Sequence, residues 1–132
     1  MADRLCILIA EDDRSLAETM RDVFEEDFSV ETAADGQEAL SVARRVHPDV
    51  MVLDARMPLL DGLSACRALR EDPTTADLPI IMVTGEDPAT AAPEAFDAGA
   101  TDFLAKPFSI SQLRARATIC AMRAADTSRV AS

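Results

Sequence analysis

Glu11, Asp12 and Asp13 stand in a row where an apolar run, Leu5 to Ala10, ends. Asp54 closes a second run, Val50 to Leu53. A carboxylate at the end of a buried segment is costly unless something positive meets it. Arginine occurs twelve times in the sequence but lysine only once, at Lys106. A guanidinium does not reproduce a compact ammonium on a flexible stem, so the single lysine marks a position that needs a point charge. Crowded carboxylates are also satisfied by a hard divalent cation, and Mg2+ takes oxygen ligands while retaining several waters. Neither histidine nor cysteine accompanies the cluster, which argues against zinc. Thr84, after the apolar run Leu78 to Val83, adds a hydroxyl. Hydroxyl, ammonium and Mg2+ together can meet the oxygens of a phosphoryl group, with Asp54 as a nucleophile that would become an aspartyl phosphate. The sequence has neither a G-x-x-x-x-G-K-[ST] loop nor a dinucleotide fingerprint, so a nucleotide bound by this chain is not the expected donor.

These residues meet only if the elements carrying them lie side by side. Val50 to Leu53 does not alternate, contains β-branched residues and lies between Pro48 and Pro58, as in a strand covered on both faces. Leu5 to Ala10 and Leu78 to Val83 read the same way, with Pro79 tolerated at a strand start. Phe28 to Ala33 alternates and predicts an edge strand with one wetter face; Ala100 to Ala105 predicts a short fifth strand. Helical spacing predicts helices from about Arg14 to Glu26, with Asp13 near the cap, and from about Asp61 or Gly62 to Arg70. Capping boxes at Asp35/Glu38 and Ser109/Gln112 open two more. Pro93 predicts that the fourth helix starts there, after a loop from Glu86 to Ala92. The five alternations predict a doubly wound α/β domain, a five-stranded parallel sheet in the flavodoxin-like order 2-1-3-4-5 with helices on both faces. That order brings Glu11, Asp12 and Asp54 together.

At 132 residues the chain is one domain, expected over residues 1–125, with residues 126–132 a tail or the start of a linker. The formal charge of −11 repels nucleic acid and anionic membranes, and no apolar stretch approaches membrane-spanning length. The cytoplasm is the default expectation. Cys6, Cys66 and Cys120 lack paired spacing and read as free thiols. His47, before Pro48, reads as structural.

The set E-D-D at Glu11 to Asp13, L-D-A-R-M-P-L-L-D-G at Leu53 to Gly62, V-T-G at Val83 to Gly85 and A-K-P-F at Ala105 to Phe108 resembles the receiver domain of two-component response regulators, over about residues 4–124. The resemblance implies that Asp54 is the phosphoacceptor, and that Glu11, Asp12, Asp54 and the Arg56 backbone carbonyl hold Mg2+. It also implies that Thr84 is the switch hydroxyl, that Lys106 is the matching lysine, that the bond before Pro107 is cis, and that Phe103 sits at the switch aromatic's position without a hydroxyl. The implied partners are a sensor histidine kinase or histidine phosphotransfer protein, a homodimer partner on the face of the fourth helix, fifth strand and fifth helix, and either an output domain beyond this chain or, for a stand-alone receiver, a separate partner. Such a domain assists its own phosphorylation and dephosphorylation and releases no metabolite.

Two rival readings stand beside it: a docking module that is never phosphorylated, and a Mg2+-dependent phosphatase acting on small molecules through an aspartyl intermediate. The second needs a further acid/base group, and Arg56 occupies the position two residues past Asp54. Arg56 and Glu86, two residues past Asp54 and Thr84, are placed to pair across the entrance and slow attacking water.

Overall fold

The computed structural model describes residues 4–131. The elements run β1 (Cys6–Ala10), α1 (Arg14–Phe24), β2 (Ser29–Ala33), α2 (Gly36–Val46), β3 (Val50–Asp54), α3 (Gly62–Glu71), β4 (Ile80–Thr84), α4 (Pro88–Asp97), β5 (Asp102–Ala105) and α5 (Ile110–Ala131). All four strand pairings are parallel, and the sheet order is β2-β1-β3-β4-β5. The fold is the expected doubly wound flavodoxin-like one.

The unalternating strands are unalternating because both sides of the sheet are covered. Leu8, Met51, Leu53, Ile80 and Met82 pack toward α2, α3 and α4 through Ala39, Leu40, Cys66, Leu69 and Ala95. Ile7, Ile9, Val50, Val52, Ile81 and Val83 pack toward α1 and α5 through Met20, Phe24, Leu113 and Ala117. Every residue of β3 and β4 is buried, whereas the edge strand β2 is mostly half-buried and exposes Ser29.

Local chemistry sets the helix starts. Asp13 accepts from the Leu16 amide at 3.2 Å, Asp35 from Glu38 at 2.8 Å and Asp61 from Ser64 at 2.8 Å, each supplying an acceptor to an orphan N–H. The Ser109 hydroxyl accepts from Gln112 at 3.3 Å. His47 ends α2 in the left-handed region, φ 52°, at the end of the sheet away from Asp54. All three cysteines are free; burial pushes the Cys6 thiol up to about 11, with the Glu31 and Asp49 charges adding to the shift.

One expectation is corrected. α4 starts at Pro88, not Pro93: Asp87 caps it by accepting from Ala89 at 3.0 Å, and Pro88 fills the first turn, where its missing N–H costs nothing. Pro93 lies inside the helix. The carbonyl it deprives is that of exposed Ala89, which water can reach. The expected seven-residue loop shrinks to Gly85–Asp87. At the other end of the chain, the backbone stays helical to Ala131 although the amphipathic pattern fades near Asp126. R-A-A-D-T-S-R-V-A contains neither glycine nor proline, so nothing in it stops the helix. Among the described residues no helix is long and apolar enough to cross a membrane.

Gly62 fixes the strand that matters most. A Cβ there would lie 2.1 Å from the Asp54 carbonyl oxygen and 2.8 Å from Ala55 Cα, while the Gly62 amide donates to the Ala55 carbonyl at 2.9 Å. At Gly85 the nearest obstacle is Lys106 Cβ at 3.9 Å. Urea unfolding of Gly62→Ala is therefore expected to show a loss of about 3 kcal/mol, while Gly85→Ala stays within about 0.5 kcal/mol of the parent.

Candidate functional site

The parallel order puts the carboxyl ends of β1, β3, β4 and β5 on one edge of the sheet, where polar side chains can collect outside the covered faces. Glu11 and Asp12 follow β1, Asp54 ends β3, Thr84 ends β4 and Lys106 follows β5. Glu11 and Asp54 are nearly inaccessible, 3% and 4% exposed, whereas Asp12 is exposed. One carboxylate oxygen from each of the three lies within 4.8 Å of the others.

The lone lysine bridges the two buried acids. Lys106 Nζ donates to Glu11 Oε1 at 3.0 Å and to Asp54 Oδ2 at 3.1 Å. The other Asp54 oxygen, Oδ1, accepts from the Arg56 amide at 3.0 Å, and Glu11 Oε2 accepts from the Asp13 amide at 3.1 Å. One ammonium faces three carboxylates, which leaves a deficit of positive charge. Burial first, and the neighbouring Asp54 carboxylate second, push Glu11 up to about 7, against the opposing pull of the Asp13 amide and Lys106. Burial works against the Lys106 ammonium, but its bonds to Glu11 and Asp54 prevail and raise it above the usual lysine value. An all-oxygen donor set, short of positive charge and open on the Asp12 side, fits a hard divalent cation better than a soft one.

The remaining residues singled out in the sequence lie around this cluster. Thr84 is buried, and its hydroxyl accepts from the Glu86 amide at 3.2 Å, which leaves the hydroxyl proton free to donate. Lys106–Pro107 is cis. Phe103 is half-buried and packs against the core on the α4 side. The Arg56 guanidinium pairs with Glu86 at 2.5 Å across the mouth, with side chains 72% and 47% exposed. A cleft of about 520 Å³ opens beside Asp12, lined by Arg56, Met57, Pro58, Leu59 and Asp61. Asp13 does not join the cluster, because its side chain caps α1. Sequence reasoning missed the Arg56 amide as a partner of Asp54, and missed Gly62, whose D-G pair at a helix start was its only signal.

The chain is thus a doubly wound parallel α/β domain whose polar residues converge at the carboxyl ends of its strands. It belongs to the response regulator receiver domain family, whose model matches residues 7–118, and so is a receiver domain of the two-component type. Among curated proteins it is similar to Response regulator MprA of Mycobacterium leprae, 46% identical over 111 residues, covering 83% of this chain and 48% of that protein. The chain spans about half the length of the curated relatives it matches. Among solved structures it resembles the receiver domain of the Francisella response regulator 1452, with a TM-score of 0.84, 35% identity and coverage of 90% of this chain and 98% of that one. It also resembles the receiver domain of sensor histidine kinase PA1611 from Pseudomonas aeruginosa, which holds a magnesium ion in its active site cleft; the TM-score is 0.79, the identity 31%, and coverage 91% and 98%.

The ion pairs differ in burial and so in worth. Lys106→Met leaves two buried carboxylates without their cation and is expected to cost about 2 kcal/mol in urea unfolding without divalent ions. Arg56→Ala breaks a solvated pair and should cost less than about 0.5 kcal/mol in the same measurement.

Proposed function

We propose that the domain is a phosphoacceptor switch in which Asp54 takes a phosphoryl group from the phosphohistidine of a sensor histidine kinase or histidine phosphotransfer protein. The observation that carries this reading is the Lys106 bridge between Glu11 and Asp54, which puts one ammonium where a phosphoryl oxygen and two acids would converge. An Asp54 carboxylate oxygen forms the new P–O bond as the P–N bond of the donor breaks, and the electron pair leaves on the imidazole nitrogen. Lys106 turns from the carboxylates to a phosphoryl oxygen, and the Thr84 hydroxyl donates to another. Glu11, Asp12, Asp54 and the Arg56 backbone carbonyl are the Mg2+ ligands in this reading, and the ion, when bound, neutralises charge on the phosphoryl oxygens. The magnesium-bearing cleft of the Pseudomonas receiver, 31% identical, supports that choice of metal.

Recruitment of Thr84 would pull on Gly85–Asp87 and so on α4. Phe103, already packed toward α4 and lacking a hydroxyl, reports such movement through packing alone. The α4-β5-α5 face then engages an output domain or a second copy of the chain, and residues 126–132 serve as tail or linker. The setting is the cytoplasm, where such kinases present their phosphohistidine.

Intact mass after incubation with a small phosphodonor tests this reading. The expected result is one added phosphate that requires both Mg2+ and Asp54 and is absent from Asp54→Asn. No adduct in a folded protein, with donor consumption at background, overturns it. The Arg56–Glu86 pair joins the loops that follow β3 and β4, and in this reading it screens the phosphoryl group from water. Arg56→Ala is accordingly expected to speed loss of the phosphate about fivefold, a change of about 1 kcal/mol in barrier; an unchanged rate refutes the gating role.

A further inference from the structure

At the opposite end of the sheet from Asp54, one side chain ties the end of α3 to the approaches of both β4 and β5. Arg70, in the last turn of α3, donates from Nε to the Gly99 carbonyl at 2.8 Å, from Nη1 to Ala76 and Leu78 carbonyls at 3.0 and 2.7 Å, and from Nη2 to the Thr101 hydroxyl at 3.3 Å. These partners are all neutral, so the guanidinium acts as a fork of charge-assisted donors rather than as half of an ion pair. The packing is as close as the bonding. A Cβ on Gly99, whose φ is 107°, would lie 2.7 Å from Arg70 Cγ.

Leu78 leads into β4, and Gly99 to Thr101 lead into β5. Thr101 closes the pairing at the base of these strands: its amide donates to the Ile80 carbonyl at 2.8 Å, and its hydroxyl accepts from the Ile80 amide at 3.0 Å. Arg70 holds that hydroxyl and both approach segments. From this base the register runs Ile81 to Asp102 up to Thr84 to Ala105, where the Lys106 amide donates to the Thr84 carbonyl at 2.7 Å. β5 has four residues and pairs on one side only. Arg116 covers its outer edge by donating to the Phe103 carbonyl at 3.0 Å, and Arg70 is the side chain that bonds both to the turn in front of it, whose Gly99 and Ala100 amides are held by α4 carbonyls, and to the approach to β4. Strand register set at one end is register at the other, and a slip of one residue moves every later residue by about 3.3 Å.

We infer that Arg70 is a positioning residue for Thr84 and Lys106, acting from roughly 13 Å below them by clamping the β4–β5 register at its base. The carboxylates are not under its control, because they stand on β1 and β3. The inference rests on the phosphoacceptor reading for its consequence but not for its geometry.

That division gives a signature that general loosening of the fold would not. In Arg70→Met and in Thr101→Val, which removes the hydroxyl and keeps the shape, phosphorylation by a small donor should slow about tenfold. Mg2+ affinity by calorimetry should stay within about twofold of the parent. Amide exchange should quicken at Ile80, Thr101 and Lys106 and not at Leu8 or Val52 of β1 and β3. Arg70→Lys, which keeps the charge and loses the fork, should behave like Arg70→Met. Mg2+ affinity falling in step with the rate, or parental exchange at Lys106 in all three variants, overturns the inference. If the parent takes up no phosphate, the phosphoacceptor reading fails by itself, and amide exchange alone decides on the clamp.

Discussion

Three carboxylates at the ends of two neighbouring strands, with one ammonium to share, is the constraint on which this molecule turns. Glu11 and Asp54 are buried almost completely and their charges are not cancelled; Glu11 shows the strain by holding its proton to about pH 7. A protein selected for stability alone would replace such a group with apolar side chains. Retaining it makes sense where a dication and a phosphoryl group enter and leave. In the phosphoacceptor reading, a bound dication would relieve that crowding.

Rigid surroundings keep the crowded acids in place. β3 is buried throughout and β1 at every residue but Cys6, and α3 is docked so closely under Asp54 that only glycine fits at the contact. Asp61 and Asp13 spend their carboxylates on helix caps beside the site, which anchors the loops that carry Asp12 and Arg56. By contrast, the elements beyond β4, Phe103 on β5 and helix α4, are less enclosed. β5 is a short edge strand, and α4 contains Pro93 and buries only Ala91 and Ala95. In the proposed switch, the more enclosed strands hold the acids and the lighter elements would respond.

Much of this could be read from the chain. The buried runs ending in Ala10, Asp54 and Thr84 have strand lengths and no alternation, so the parallel sheet and its order followed, and with them the meeting of Glu11, Asp12 and Asp54. The lone lysine among twelve arginines pointed to Lys106 before its partners were known. What could not be read depended on tertiary context. Pro93 looked like a helix start because proline usually breaks helices, yet Asp87-Pro88 is the stronger start signal and solvent excuses the bond that Pro93 removes. The end of α5 was hidden because amphipathic pattern reports packing, and a helix can outrun its packed face. The Arg56 amide bond to Asp54 and the bonds of Arg70 to the Gly99, Ala76 and Leu78 carbonyls are backbone matters, set by how loops fold back and not by residue spacing.

The Lys106 bridge to Glu11 joins residues 95 apart in the sequence. During synthesis the acidic cluster is complete once β3 has formed, but its counter-charge arrives only with the end of β5. A nascent or truncated chain stopping short of residue 106 carries uncompensated buried acid and an unfinished sheet edge, both of which resist compaction. The lysine that bridges the two acids therefore also closes the assembly: the charge that follows the last strand to emerge compensates the buried acid that follows the first.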